Sequence, residues 1–237
     1  MRCSIVLATY NKADILDLTL KSILCQRPPF DFETIVVDDG STDHTAEVCS
    51  WHDGIRYLHL DRSGYCNPAV ARNVGYKAAR GDVIISQCEV MHHTRDTIER
   101  LVNGLIPGHF DLATVWDVAL GSGRASPEVD QFCNIAPQTL YCGKGNPRPY
   151  FFLGSCFRSD LYAVGGNDED FIEPGYDDDW FAACLIHGRG LVPRYRDDVV
   201  GWHLPHARTS YDMGPSKRVY DAKMQAGVFC SSGGPWA

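Results

Sequence analysis

The chain has 237 residues, of which 44% are hydrophobic and 11% aromatic, enough to bury the core of one compact domain. Its formal net charge of −8 argues against a protein that grips nucleic-acid phosphates broadly or coats an anionic membrane, and favours small-molecule or glycan partners. Ten cysteines are scattered without a C-x-x-C pair, which argues against a zinc ribbon and favours reduced thiols in the core.

The sequence predicts neither a secretory leader nor a transmembrane segment. The apolar part of the opening stretch MRCSIVLATYN is too short for a signal peptide. No run of residues approaches the roughly 20 apolar positions of a spanning helix. We therefore expect a cytoplasmic protein, with contact at a membrane surface left open.

Strands alternate with helices through the first hundred residues. Apolar runs predict four strands, at 3–8, 33–39, 55–61 and 82–90, and the segments between them predict three helices, at 14–25, 41–52 and 67–80. Ser41 or Thr42 is expected to cap the second helix, and Gly81 to follow the third at its C′ position. Such alternation is typical of βαβ units and predicts an α/β fold, a Rossmann-like and mainly parallel sheet flanked by helices.

Beyond residue 105 the periodicity weakens. Residues 121–150 are rich in glycine, proline and polar side chains, and they predict a long insertion rather than a second domain. The stretch 151–166 predicts a further strand and helix, and 177–190 a helix that ends at Gly188 or Gly190. A last strand is expected within 191–208. The whole chain is therefore interpreted as a single domain.

Polar side chains follow three of the predicted strands at their carboxyl ends. They are Thr9, Tyr10 and Asn11 after the first strand, Asp38 and Asp39 after the second, and Gln87, Cys88 and Glu89 after the fourth. Because the carboxyl ends of parallel strands meet at one edge of a sheet, we expect these side chains to line one crevice. Asp-Gly-Ser is also common turn chemistry, but a carboxylate at such an edge can accept hydrogen bonds from a base N–H or a ribose hydroxyl.

Five stretches in order, SIVLATYN, TIVVDDGSTDHT, ARNVGYKAARGDVI, GSCFRSDLYAVGGNDEDF and PGYDDDW, resemble the motifs of family 2 glycosyltransferases of the GT-A fold. The resemblance covers nearly the whole chain to about residue 206. It implies transfer of a sugar, with inversion, from a nucleoside diphosphate donor to a hydroxyl of a glycan or other acceptor, usually with Mn²⁺ or Mg²⁺. UDP is the expected nucleotide, with dTDP and GDP as alternatives. It also implies a nucleotide-sugar half at 1–105 and an acceptor half with a C-terminal tail at 106–237.

The resemblance assigns donor-binding roles to residues at the strand ends. Asp39 would contact the nucleobase, with Thr9, Tyr10 and Asn11 beside it, and Arg72 would reach the base or the phosphates. Gln87 completes this predicted set. The segment GGNDE, with Asp168 and Glu169, would lie near the sugar or the acceptor.

One departure from the family pattern concerns the metal. Relatives end the fourth strand with Asp-x-Asp, whereas this chain has Gln87-Cys88-Glu89, so one carboxylate remains. Glu89 can still ligate Mn²⁺ or Mg²⁺, with Gln87 as a neutral oxygen ligand. Since a late histidine commonly completes the metal or diphosphate site in relatives, His203 is expected there, with His206 as second choice.

Three consecutive aspartates, Asp177, Asp178 and Asp179, begin a predicted helix. Acidic residues at a helix N-terminus stabilise it, but mutual repulsion among three of them raises the proton affinity of at least one. A general base that takes a proton from an acceptor hydroxyl needs such an affinity. The position matches the family's Glu-Asp motif, so we expect Asp178 to be the base, with Asp177 and Asp179 as alternatives.

Two other functions stay open. In a metal-independent transferase, Arg72, Arg208 and Lys217 would neutralise the leaving group. The alternative from another class is a protein of the same fold that binds a nucleotide sugar or glycan without turnover, which the missing Asp-x-Asp favours and the retained aspartates oppose. A sugar-1-phosphate nucleotidyltransferase shares the architecture, but the sequence lacks the glycine-rich N-terminal loop that holds a triphosphate.

Overall fold

The computed structural model describes residues 2–63, 67–118, 137–206 and 212–237. Its strands are β1 (Cys3–Thr9), β2 (Phe32–Asp38), β3 (Ile55–His59), β4 (Val83–Gln87), β5 (Val90–His92), β6 (His109–Val118), β7 (Pro137–Cys142), β8 (Leu153–Phe157) and β9 (Val192–His203). Its α-helices are α1 (Ala13–Leu24), α2 (Thr45–Ser50), α3 (Ala69–Ala78), α4 (Thr97–Asn103), α5 (Arg158–Val164), α6 (Asp177–Ala183) and α7 (Gly214–Ala226). A π-helical turn, Cys184–Gly188, continues α6.

The first half of the chain forms the parallel block that the βαβ pattern predicted. Strands β3, β2, β1 and β4 lie side by side in that order, and each neighbouring pair is parallel. The centres of β1 and β2 are completely buried, as expected of strands covered by helices on both faces. Helix α3 packs closely on these strands at Gly75, where a Cβ atom would lie 2.4 Å from Cγ1 of Val6.

The sheet continues from the parallel block into the second half of the chain. Beyond β4 the order is β8, β6, β9 and β5, and β7 pairs with β6. The pairs β4–β8, β6–β8, β6–β7 and β5–β9 are antiparallel, and β6–β9 is parallel. One sheet, nine-stranded over the described residues, therefore joins the two predicted halves, and the predicted α/β class is confirmed.

Five elements were not predicted from the sequence: β5, α4, β6, β7 and α7. Strand β7 begins inside the predicted insertion, and its first three residues are exposed, so it shows no apolar alternation. Helix α7 buries only Ser216 fully, which leaves it a weak helical pattern. The remainder of the insertion, from 121 to 136, lies outside the described residues.

Helix α2 begins later than predicted. Neither Ser41 nor Thr42 caps it, because the side-chain Oδ1 of Asn11 accepts the backbone N–H groups of Thr42 (2.7 Å) and Asp43 (3.3 Å) and holds them in a loop. The helix starts at Thr45, whose N–H donates to Oδ1 of Asp43 at 3.0 Å. The polar cluster after β2 is thus a loop tied to the end of β1.

Gly81 does not close α3 as predicted. The helix ends at Ala78, three residues earlier. The glycine is required instead by a close approach of backbone, since a Cβ atom there would lie 2.4 Å from both the Cys3 carbonyl carbon and the Ser4 nitrogen.

Free thiols of the described residues are Cys3, Cys49, Cys88, Cys142, Cys156, Cys184 and Cys230. Five of them are buried, where a thiol behaves as a small hydrophobe. Cys66 and Cys133 lie outside the described residues. Across the described ranges, no helix combines the length and the apolar character that crossing a membrane requires.

Candidate functional site

A narrow cavity of about 90 Å³ lies at the carboxyl ends of β1, β2 and β4. Its polar lining consists of Thr9, Tyr10, Lys12, Asp39, Arg72 and Glu89. We call it the strand-end pocket. The crevice expected from the sequence is therefore present. A wider surface cavity of about 500 Å³ beside Arg158 and Tyr162 contains none of the predicted site residues.

The two adjacent carboxylates at the end of β2, Asp38 and Asp39, have different surroundings. Asp38 accepts hydrogen bonds from the Tyr57 hydroxyl at 2.6 Å and from the Ser41 N–H at 2.8 Å, so it braces the loop. Asp39 is positioned by its own N–H, which donates to the carbonyl of Thr9 at 2.9 Å. Only Asp39 lines the strand-end pocket.

Asp39 is a buried carboxylate that can accept a further hydrogen bond. Its Oδ1 lies 3.1 Å from Nη1 of Arg62, an ion pair that is not aligned as a hydrogen bond. Burial raises the pKa of Asp39, the Arg62 guanidinium opposes this rise, and Asp38 adds to it. A ligand N–H or hydroxyl directed at this carboxylate would therefore stabilise its charged form.

The glycine after the two aspartates is needed for the turn. Gly40 has a φ of +85°, and a Cβ atom at this position would lie 2.0 Å from the carbonyl oxygen of Arg62. The Asp-Asp-Gly turn consequently packs directly against the backbone that carries Arg62.

Lys12 and Glu89 form an ion pair inside the pocket. The Lys12 Nζ lies 2.9 Å from Oε2 of Glu89, whose side chain is 2% exposed, and the buried Oε1 of Glu89 accepts no aligned hydrogen bond from the described residues. Burial works against the charge of Glu89, but the Lys12 ammonium outweighs it and holds the pKa of this carboxyl below its usual value. Lys12 was not predicted as a site residue, although it directly follows the TYN stretch that ends β1.

Gln87 and Asn11 do not line the pocket. Gln87 is completely buried, and its side chain is used inside the fold: Oε1 is bonded to Nε2 of His92 (2.9 Å), and Nε2 donates to Val90 O (3.3 Å). Gln87 is thus not placed to contact a donor nucleotide. Asn11 is left-handed, with a φ of 49°, and serves the loop after β2. Of the predicted donor-binding residues, the pocket brings together Thr9, Tyr10, Asp39 and Arg72.

Arg72 connects the strand-end pocket to the three aspartates. Its Nη1 donates to Oδ1 of Asp178 at 2.6 Å and reaches Oδ2 of Asp177 at 3.4 Å, with the arginine only 5% exposed. The second carboxylate oxygen of Asp178 accepts the N–H of Phe151 at 3.3 Å. Burial raises the pKa of Asp178 to about 6 against the opposing effect of Arg72. Asp178 is thus a carboxylate whose proton affinity suits base chemistry near neutral pH.

Asp179 differs from Asp178 in its surroundings. Asp179 is less buried, and burial raises its pKa while Arg148 opposes the rise.

The residue before the three aspartates, Tyr176, has a left-handed backbone with a φ of 63°, a strained conformation for an aromatic residue. Backbone strain of this kind is concentrated at functional sites, and here it sets the direction in which α6 begins.

His203 and His206 lie in an aromatic cluster with Tyr141 and Phe152. Their rings are 5.1 Å apart, and the Tyr141 ring meets His203 edge-on at 5.2 Å. Burial lowers the pKa of His203 to about 4, so its imidazole is neutral at pH 7. This cluster borders the pocket, because the carbonyl of Phe152 accepts the N–H of Cys88 at 3.1 Å.

These residues do not fit the predicted divalent metal. The one carboxylate expected to ligate it, Glu89, already holds an ammonium at its Oε2. Among the described residues, no three His, Cys, Asp or Glu side chains converge as a metal site. The metal held by Glu89, His203 and His206 stays a prediction from the family resemblance.

Asp168 is a structural residue rather than part of an open site. It is 1% exposed and accepts hydrogen bonds from the Trp180 indole N–H (3.1 Å) and the Ser232 hydroxyl (3.0 Å). The Lys223 ammonium lies 2.8 Å away. Asp168 thereby joins α6, α7 and the final segment of the chain.

The two described cations of the metal-independent alternative lie apart. Arg72 lines the strand-end pocket. Lys217 pairs with Asp221 at 2.6 Å on the exposed surface of α7. Arg208 lies outside the described residues.

Comparison with known proteins agrees with this geometry. Residues 4–120 match the sequence model described as Glycosyl transferase family 2. This part of the chain belongs to glycosyltransferase family 2. Among curated relatives, an uncharacterized glycosyltransferase of Rickettsia conorii is 30% identical over 156 residues, 59% of this chain and 25% of its own length. A chondroitin synthase of Escherichia coli is 38% identical over 91 residues, 37% of this chain and 13% of its own.

Solved structures show the fold of this family 2 chain. A mannosyltransferase of Pyrobaculum calidifontis, in complex with GDP-Man and Mn²⁺, superposes with a TM-score of 0.65 at 20% identity, covering 95% of this chain and 62% of that chain. TarS 1–349 of S. aureus, in complex with UDP-GlcNAc, gives 0.62 at 18% identity, covering 88% and 60%. The GT-A fold predicted from the sequence is confirmed. The chain spans a quarter or less of the length of the two curated relatives named above.

Proposed function

We propose that this chain is the transferase domain of an inverting glycosyltransferase that moves a sugar from a nucleoside diphosphate, with UDP as the expected nucleotide, to an acceptor hydroxyl. The observation that supports the proposal is that Arg72 links two carboxylates of different use. Asp39 can accept a hydrogen bond from a nucleobase, and Asp178 can accept a proton from a hydroxyl. Asp39 lines the strand-end pocket, and Arg72, on the same pocket, is bonded to Asp178 at 2.6 Å.

The donor half of the site would hold the nucleotide. Asp39 would accept a hydrogen bond from the base, with Thr9 and Tyr10 beside it, because its buried carboxylate gains stability from a donor group. Both named structural neighbours are complexes with nucleotide sugars, one of them UDP-GlcNAc and the other GDP-Man. These complexes support a nucleotide-sugar donor without choosing its base.

The acceptor half would activate the hydroxyl. The acceptor oxygen attacks the anomeric carbon from the face opposite the nucleotide, forming the new glycosidic bond as the bond to the diphosphate oxygen breaks. Asp178 takes the hydroxyl proton, and the electron pair leaves on the nucleoside diphosphate. Arg72 holds the Asp178 carboxylate beside the pocket during this step.

A divalent metal would supply charge neutralisation at the departing diphosphate. The mannosyltransferase neighbour is a complex with Mn²⁺. In this chain Lys12 already contacts one oxygen of Glu89, so every step of the proposed reaction uses the chain's own side chains.

The proposal is tested by following donor sugars with NMR. UDP-, GDP- and dTDP-sugars are incubated with the protein and a panel of mono- and disaccharide acceptors, and the anomeric signals report consumption and product configuration. We expect one of the donors to be consumed with inversion at the anomeric carbon, and D178N to consume it about 10²- to 10⁴-fold more slowly. Nucleotide binding without consumption of any donor would favour a protein that binds nucleotide sugars without turnover. Neither binding nor consumption would overturn the proposal.

A further inference from the structure

The strand-end pocket is lined by two cationic side chains among the described residues, Lys12 and Arg72. Arg72 is 5% exposed, and its Nη1 serves Asp178 and Asp177. The Lys12 side chain is 29% exposed, so it combines a buried carboxylate partner with access to the pocket. Lys12 is therefore the cation better placed to meet an incoming ligand.

Glu89 fixes the Lys12 ammonium. Their 2.9 Å contact lies at a carboxylate that is 2% exposed, where removal from water makes a charged group dependent on its partner. An ammonium carries three N–H donors in a tetrahedral arrangement, so it can contact Glu89 and a phosphate oxygen together. A lysine is an established phosphate-binding group when held as a fixed point charge.

Lys12 and a divalent ion would compete for Glu89. An ion on Oε1 would lie within the width of one carboxylate from the ammonium on Oε2, and two cations at that separation in a buried site repel strongly. The chain also lacks the first carboxylate of the Asp-x-Asp pattern, since Gln87 stands there and is used inside the fold. Occupation of Glu89 by Lys12 and by a metal are thus alternatives.

We propose that Lys12 binds the diphosphate of the donor, beside Glu89, and that this chain binds its nucleoside diphosphate without a divalent ion. The inference rests on the proposed nucleotide-sugar function. In this proposal Lys12 neutralises the negative charge of the leaving diphosphate, a role that the family resemblance assigned to Mn²⁺ or Mg²⁺.

The test is calorimetric titration of the purified chain with UDP, GDP and dTDP, each in EDTA and in Mn²⁺, followed by the monophosphate of the nucleotide that binds. The variants are K12M, K12R and the double variant K12M/E89Q. The double variant removes the lysine without leaving a buried, unpaired carboxylate, so it separates loss of the ligand contact from damage to the fold. K21M is the matched control, because Lys21 lies on α1, the helix that Lys12 directly precedes, in a 2.6 Å ion pair with Asp17 and outside the pocket.

We expect the wild type and K21M to bind the diphosphate equally in EDTA and in Mn²⁺. Loss of a charged hydrogen bond predicts that K12M and K12M/E89Q bind the diphosphate about ten- to a hundredfold more weakly. The monophosphate should lose much less affinity, and K12R should recover part of the loss by keeping the positive charge.

Two results would overturn the inference, and they differ in what they say of the proposed function. Binding that vanishes in EDTA, returns with Mn²⁺ and is unchanged or stronger in K12M would assign Glu89 to a metal and leave the glycosyltransferase proposal standing. No binding of any nucleotide in either condition would overturn both.

Discussion

Nη1 of Arg72 lies 2.6 Å from Oδ1 of Asp178, and this ion pair joins helix α3 to helix α6 across 106 positions of sequence. One end of the pair borders the strand-end pocket, and the other is the predicted general base. Both partners are buried, so neither charge is tolerated without the other. Burial raises the pKa of Asp178, and Arg72 opposes this rise.

A change at Arg72 should move the pH dependence of activity. A base must be ionised to act, so kcat/KM should fall as the pH drops through about 6, the pKa to which burial raises Asp178. Arg72 opposes this rise, so R72M should move the acidic limb to higher pH. The measurement is kcat/KM for donor consumption against pH, with R158M as control because Arg158 lies over the Tyr162 ring, outside the strand-end pocket. An acidic limb in the same place in R72M would contradict a role for Arg72 in setting this pKa.

The three aspartates should be separable by kinetics. Loss of a general base costs about 10²- to 10⁴-fold in rate, so D178N should lower kcat by this amount while keeping nucleotide affinity within a few fold. D179N should lower kcat much less, because Asp179 makes no contact with Arg72 among the ion pairs of the described residues. Steady-state kinetics of both variants, with calorimetric Kd values for the nucleotide, provide the comparison. A larger loss in D179N would transfer the base role to that residue.

Substitution of Asp38 should lower stability, whereas substitution of its neighbour Asp39 should weaken nucleotide binding. D38A leaves the Tyr57 hydroxyl and the Ser41 N–H without their acceptor and should lower the free energy of unfolding by about 1–3 kcal/mol. D39A removes a carboxylate oxygen that has no aligned hydrogen bond, so it should leave stability nearly unchanged while weakening nucleotide binding about tenfold or more. Urea unfolding and calorimetry on both variants check this. Equal loss of nucleotide affinity in two equally stable variants would refute the assignment.

Asp168 should matter for stability and not for the donor. D168A leaves the Trp180 indole, the Ser232 hydroxyl and the Lys223 ammonium without their shared acceptor, which should cost about 3–5 kcal/mol as for a broken buried pair. E169A, one residue away, should cost less, because Glu169 accepts one bond, from Asn73 at 2.8 Å. Chemical unfolding measures both changes. A stable D168A protein with a raised KM for the donor would restore the sugar-contact role expected from the sequence.

The parallel block was predictable because its signals are local. Apolar runs of strand length alternate with helical segments, and polar residues follow each run, so the edge with Asp39 and Thr9 could be placed from sequence order and chain direction. The second half of the chain contains fewer local signals of this kind. Strand β7 and helix α7 bury too little of their surface to show a period.

Lys12 was not predicted as a pocket residue for a different reason. Its partner Glu89 is 77 positions away, and no local sequence pattern indicates such a pair. Gln87 shows the opposite error: it occupies a motif position, but its side chain turns into the fold and bonds to His92. Family motifs place a residue at the end of a strand, whereas the direction of its side chain depends on packing against distant elements.

Calorimetric titration of the purified chain with UDP, GDP and dTDP, with D39A and the exposed control D31N alongside, tests most directly whether the strand-end pocket is a donor site. We expect one nucleoside diphosphate to bind with 1:1 stoichiometry to the wild type and to D31N, and about tenfold or more weakly to D39A. Binding of that nucleotide with the same affinity to D39A, or binding of none of the three to the wild type, would show that the strand-end pocket is not a donor site.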